Sequence, residues 1–198
     1  MGYYIRILGK NTANIPLQQL RLDASPAVIE VDSESGDAWE SLVLRHDSGA
    51  EIAAIEKNLV TEGSLGAEEL SEFLEEVSSL RPQSAAVWLQ GYLRSVKVIY
   101  AFQLLSGTEA NDGWARLHKV YGAAWRFAGG ILQADGEGFT DEDGFTVVWQ
   151  FSDSAAGAWN VGVLGDEGRW VHFEIDLGDQ RHRRSFWSGQ VPTGAKLL

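Results

Sequence analysis

Cysteine is absent from this chain of 198 residues. That absence excludes disulfide bonds, thiolate nucleophiles, iron–sulfur clusters and thiolate zinc sites together. Long apolar runs are missing too, and nothing approaches the ~18 uninterrupted apolar residues that a membrane-spanning helix needs, so no membrane association is expected. Basic residues are scarce, 16 against 28 acidic ones, for a formal charge of -12. A surface of that sign repels phosphate backbones and anionic headgroups over a Debye length of about 8–10 Å. Nucleic acid is therefore not an expected partner. A basic protein or a small ligand is the partner class left.

The familiar catalytic signatures are also missing. The chain has no HExxH, no GxSxG elbow, no Walker A loop and no GxGxxG fingerprint, and Gly136-Glu137-Gly138 is too short a fragment to count. No cofactor is expected. The opening segment, MGYYIRILGKNTANIPL, turns polar too early for a secretory signal, so a cytoplasmic protein is expected.

What is present is the composition of an ordinary folded protein, with 44% hydrophobic and 22% charged residues. A chain of this size buries roughly 70% of its unfolded surface, enough for a core without metals or disulfides. Short β-branched and aromatic runs at 3–8, 27–31, 41–45 and 51–60 read as strands, with a turn at Asp32–Asp37. At Ser64 the period changes. Leu70, Phe73, Leu74 and Val77 recur at helical spacing among glutamates, with Ser64 as N-cap and Arg81-Pro82 as the stop. A second helix starts near Ser84, carrying Trp88 and Tyr92 on its apolar stripe. A third follows Asp112, a candidate cap, with Trp114, Leu117, Tyr121, Ala124, Trp125 and Ala128 as its core face. Residues 96–105 read as a buried strand, and strands at 131–134, 145–151, 158–164 and 170–175 close the chain before a surface tail at 190–198.

Strands, two helices, a strand, a helix and a second run of strands predict an α+β fold with three main helices and one or more antiparallel sheets. The strand, helix, strand, strand order over 96–151 resembles part of a ferredoxin-like unit, an analogy of fold that implies no function. The organisation expected is one compact domain over residues 1–198, with any subdivision near Pro82 into 1–81 and 82–198.

Residues 129–151 gather the densest candidate chemistry, reading GGILQADGEGFTDEDGFTVVWQF. Asp135, Glu137, Asp141 and Asp143 offer oxygens to a hard cation on a glycine-containing loop. The EF-hand template fails on them: with Asp143-Gly144 at its fifth and sixth positions, Phe139 falls first and Gln150 last, where carboxylates are required. Asp135 and Glu137 share one face if they lie on a strand, and paired carboxylates are what glycoside hydrolysis uses, with tryptophans as sugar platforms. A solvated hairpin tip is the plain alternative to both.

The four histidines show no metal-binding spacing. His172 lies in the strand 170–175, where Glu174 and Asp176 are its nearest carboxylates in sequence. A basic run, Arg181, His182, Arg183 and Arg184, can capture a phosphate or carboxylate, or can simply balance Glu174, Asp176 and Asp179. Phe186 and Trp187 follow it, in a loop or a final strand. Trp149, Trp159, Arg181, Arg183, Arg184 and Trp187 are the candidate ligand or partner contacts. The leading expectation is a binding protein of accessory or toxin-neutralising type, its acidic surface covering a basic partner. The other is a carboxylate-dependent hydrolase centred on Asp135 and Glu137.

Overall fold

Alternating apolar residues set the first strands, and the structure, a computed structural model describing residues 2–35, 38–110 and 112–198, shows how they pair. In chain order the elements begin with β1 (Tyr4–Gly9), α1 (Leu17–Ala24), β2 (Val28–Ser35), β3 (Ala38–Arg45) and β4 (Glu51–Leu59). Next come α2 (Leu65–Val77), α3 (Gln83–Leu93), β5 (Val98–Leu104), a 3-10 turn at Ser106–Glu109 and α4 (Gly113–Ala128). The chain finishes with β6 (Ile131–Ala134), β7 (Gly138–Thr140), β8 (Thr146–Trp149), β9 (Ala158–Leu164), β10 (Trp170–Asp176), α5 (Gln180–Trp187) and β11 (Lys196–Leu197). The fold class is α+β, with mostly antiparallel strand pairing.

Two compact units result, one made of Met1–Glu68 and Val96–Gly130, the other of Glu69–Ser95 and Ile131–Leu198. They do not divide at Pro82, because each is assembled from two chain segments. The first contains β5 and α4 and the second β6 to β8, so the stretch that resembles a ferredoxin-like order is not one compact unit.

In the first unit the strands lie in the order β1-β5-β4-β3-β2, all antiparallel. The register places Ile5 opposite Phe102, Phe102 opposite Ile55 and Ile55 opposite Leu42. One row of buried apolar side chains therefore crosses four strands. Each such side chain contributes on the order of 1.5–3 kcal/mol through burial, which is why a one-residue slip here is costly. Trp39 adds an indole N–H donated to the Ile15 carbonyl at 2.9 Å.

In the second unit β6, β7 and β8 run antiparallel, β8 meets β9 in parallel at Thr146 and Val161, and β9, β10 and β11 are antiparallel again. Trp149, Val161, Val163, Phe173, Ile175, Leu177 and Phe186 form its core. Phe73 of α2 packs edge-on against Phe139 of β7 at 5.4 Å between ring centres, and Trp88 of α3 does the same to Trp170 of β10 at 4.9 Å.

Several expectations are corrected. The three main helices expected are α2, α3 and α4, and two shorter ones of eight residues each, α1 and α5, went unforeseen. α1 buries only Leu20 and Ala24, and α5 only Arg183 and Phe186, so neither carries a stripe long enough to stand out as helical. The tail expected from 190 contains β11, paired to β10 through Leu197 and Lys196. Trp114 is 44% exposed rather than core, its place on the buried face of α4 taken by Val120 and Ala123. Asp112 makes no side-chain cap to α4; Arg116, one turn on, pairs with it at 2.8 Å and holds its carboxyl below the usual range. Ser64 does cap α2, its Oγ accepting the Ala67 N–H at 3.2 Å. Gly36 and Asp37 of the turn expected at 32–37, and Asn111 of the turn after β5, lie outside the described residues. No helix among those residues is long and apolar enough to cross a membrane.

Tyr100 gives this core a pH signature. Its ring is buried, its hydroxyl donates to the Ala13 carbonyl at 3.3 Å, and burial pushes the phenol up to about 12. The unfolded phenol ionises near pH 10, so the stabilisation is intact below that pH and is lost as pH rises from about 10 to 12. Urea unfolding at pH 9, 10 and 11 should show this decline, and Tyr100→Phe should flatten it; an unchanged slope in that variant would contradict the assignment.

Candidate functional site

The acidic segment begins where β6 turns into β7. Asp135, Gly136 and Glu137 form the turn itself, closed by the Glu137 N–H to the Ala134 carbonyl at 3.1 Å, with Gly136 at φ +72°. They are not strand residues, so the period-2 argument that gave Asp135 and Glu137 a common face does not apply to them. Gly138 opens β7 at φ +119°, and a Cβ there would lie 1.9 Å from the Val148 carbonyl oxygen. Only glycine lets β7 approach β8 so closely.

Asp141 behaves differently from its acidic neighbours. It is 1% exposed, whereas Glu142 and Asp143 are exposed. Its Oδ1 accepts the backbone N–H groups of Asp143 at 3.0 Å and Phe145 at 2.9 Å, so the loop from β7 to β8 folds around the carboxylate. Its Oδ2 meets Nε2 of His172, from β10, at 2.5 Å. The Phe145 ring stacks on the imidazole, 3.8 Å between centres and 8° from parallel. On β9 the residue opposite His172 is Gly162, where a Cβ would sit 3.0 Å from the imidazole Cδ2. The loop, a buried carboxylate, a stacked ring and a missing side chain thus fix one histidine. Its partner is Asp141, 31 positions away, and not Glu174 or Asp176 of its own strand.

Asp141, Asp143 and His172 bring one ligand atom each within 4.8 Å of one another, the one such group among the described residues. Asp135 and Glu137 are not in it. Two ligands on one ion with bonds near 2.0–2.1 Å stand about 3 Å apart, and Asp141 and His172 are closer, at the separation of a strong hydrogen bond. The geometry is that of a clasp joining the β7–β8 loop to β10.

α5 carries the second cluster. Asp179 caps the helix by accepting the Arg181 N–H at 2.7 Å, and its carboxyl is held below the usual range first by the Arg181 guanidinium, at 3.2 Å, and then by this backbone bond. The basic run lies on this helix, and so do Phe186 and Trp187, which are therefore neither in a loop nor in a final strand. Arg181 points away into solvent, 90% exposed. Arg183 is turned inward and bonds three backbone carbonyls: Leu177 through Nε, Asp153 through Nη1 at 2.9 Å and Ala155 through Nη2 at 2.6 Å. Its guanidinium lies over the Trp149 ring, 5.5 Å from the centre. Trp149 is core, with its indole N–H on the Phe151 carbonyl, and Trp159 is held by the Thr146 hydroxyl at 2.9 Å. Arg183, Arg184 and Trp187 line one concavity of about 340 Å³ with Asp153 and Gln180. Three of the six candidate contacts are thus brought together; Trp149 lies beneath and Trp159 and Arg181 stand apart from the lining.

The first unit has a groove of about 610 Å³ between β3, β4 and the start of α2, lined in part by Trp39, Glu40, Glu56, Lys57 and Asn58. Sequence patterning gave no sign of it, since its residues come from distant positions. Lys57 is lowered by burial and bonds Asn14 Oδ1 at 3.2 Å. Neither concavity is lined by residues 135–149. Compared with protein-family models, curated proteins and solved structures, the chain matches none.

Removing the Asp141 carboxylate strands two part-buried N–H groups and the imidazole. Asp141→Ala should cost about 2–4 kcal/mol in urea unfolding, and Asp141→Asn, which keeps the Oδ1 acceptor, less. A loss no larger than that of the exposed Glu142→Ala would show that the clasp is not formed.

Proposed function

We propose that the protein works by binding rather than by chemistry, as an accessory or neutralising protein whose acidic surface covers a basic partner protein. The observation that carries this reading is where the charge lies. The second unit holds 15 acidic and 7 basic residues, most of the excess in a chain of formal charge -12. Glu72, Glu75 and Glu76 stand exposed at i, i+3 and i+4 on α2, whose opposite side is anchored by Phe73 on Phe139. Gln150 donates to Glu76 at 2.8 Å, tying this row to the end of β8. On α3, burial first and the Glu142 carboxylate second push the Tyr92 phenol up, which puts a further negative group beside that helix. Fixed charges of one sign accelerate encounter with an oppositely charged surface and select against acidic ones. The cytoplasmic setting expected from the sequence belongs to the same proposal.

The hydrolase alternative gains no support from the turn position of Asp135 and Glu137. For the binding reading, the immobilised chain should retain a basic protein from cell extract at about 50 mM salt and release it at about 300 mM. The triple variant Glu72→Gln, Glu75→Gln, Glu76→Gln should retain markedly less. Recovery of no partner, or of one indifferent to both salt and the triple variant, would count decisively against it.

A further inference from the structure

The concavity beside α5 is floored by a buried charge that the protein itself leaves largely uncompensated. The Arg183 side chain is 9% exposed, and its three hydrogen bonds all go to neutral carbonyls. A guanidinium has five N–H groups, so two are uncommitted. The carboxylate nearest to it, on Asp153, stands 3.9 Å from Nη1, beyond hydrogen-bond reach, on a fully exposed side chain. A buried ion without a bonded counter-ion is costly. One position on, Arg184 is exposed, and among the described residues its side chain bonds Gln180 Oε1 alone, at 3.5 Å, the limit of a hydrogen bond. Two arginines, an amide, the Trp187 indole and one carboxylate, that of Asp153, therefore surround a space of about 340 Å³.

We propose that this concavity binds a compact oxyanion, a phosphate or carboxylate group. The arginine fork matches the paired oxygens of either group, and Trp187, held edge-on by Trp149 at 5.6 Å, offers an apolar wall to whatever the group is attached to. The formal charge of -12 opposes anion approach, but beyond about 8–10 Å that field is screened and the two guanidiniums decide the local balance. Asp153, on the rim, competes with the ligand. The proposal is independent of the acidic partner surface, which uses other residues.

Isothermal titration of the full chain with inorganic phosphate, and separately with acetate, at ionic strength held constant with sodium chloride, tests this directly. At least one anion should bind, and the tighter of the two identifies the group. Arg184→Gln, which removes an exposed side chain and should leave the thermal melt unchanged, should weaken binding about tenfold. Asp153→Asn should tighten it about threefold, while Asp166→Asn, the same charge change in the β9–β10 turn, should leave it unaltered. No binding of either anion up to about 10 mM, an unaltered affinity in Arg184→Gln, or equal tightening by the two aspartate variants would overturn the proposal.

Discussion

A single guanidinium, that of Arg183, holds together three separated stretches of the second unit. From α5 it reaches the carbonyl at the end of β10 and two carbonyls of the loop between β8 and β9. Those loop residues form no ladder of their own, so the guanidinium supplies donors to part-buried carbonyls that no strand pairing satisfies. Arginine suits the place because its planar fork addresses several acceptors in fixed directions, which a lysine ammonium on a flexible stem does not. The Trp149 ring below and Phe186 on the same helix then close the core around it. The shape of the concavity follows from this contact.

Asp141 does the same work with the opposite charge. It gathers two loop N–H groups and a histidine from another strand, just as Arg183 gathers loop carbonyls. The need for such anchors reflects the strands around them: β7 has three residues and β11 two, too short for ladder bonds and apolar rows to fix the loops. The first unit shows the contrasting solution. Its strands run six to nine residues, and the row from Ile5 to Leu42 sets their register through hydrophobic contact.

This difference explains what was legible in the sequence. The α+β class, the long strands, α2, α3 and α4 followed from periodicity, because packing there repeats with the period of the element. α5 was hidden because its inward face consists of an arginine and a phenylalanine, and arginine reads as surface. The Asp141–His172 pair was hidden because it joins residues far apart in sequence, whereas local spacing had suggested Asp135 with Glu137, which the turn removes from any strand. Arg183, Arg184 and Trp187 could be nominated by type, but only the helix shows that Arg181 parts from them. The second unit thus buries one arginine and one aspartate, Arg183 and Asp141, while Glu72, Glu75 and Glu76 stand exposed.

Arg183 is buried and bonded, and the exchange of its side-chain Nε–H with water reports this directly by ¹H–¹⁵N NMR. The Arg183 Nε–H should exchange far more slowly than those of Arg181 and Arg184, and its signal should persist where theirs vanish as pH is raised. Equal exchange at the three arginines would contradict the anchor and, with it, the site built on it.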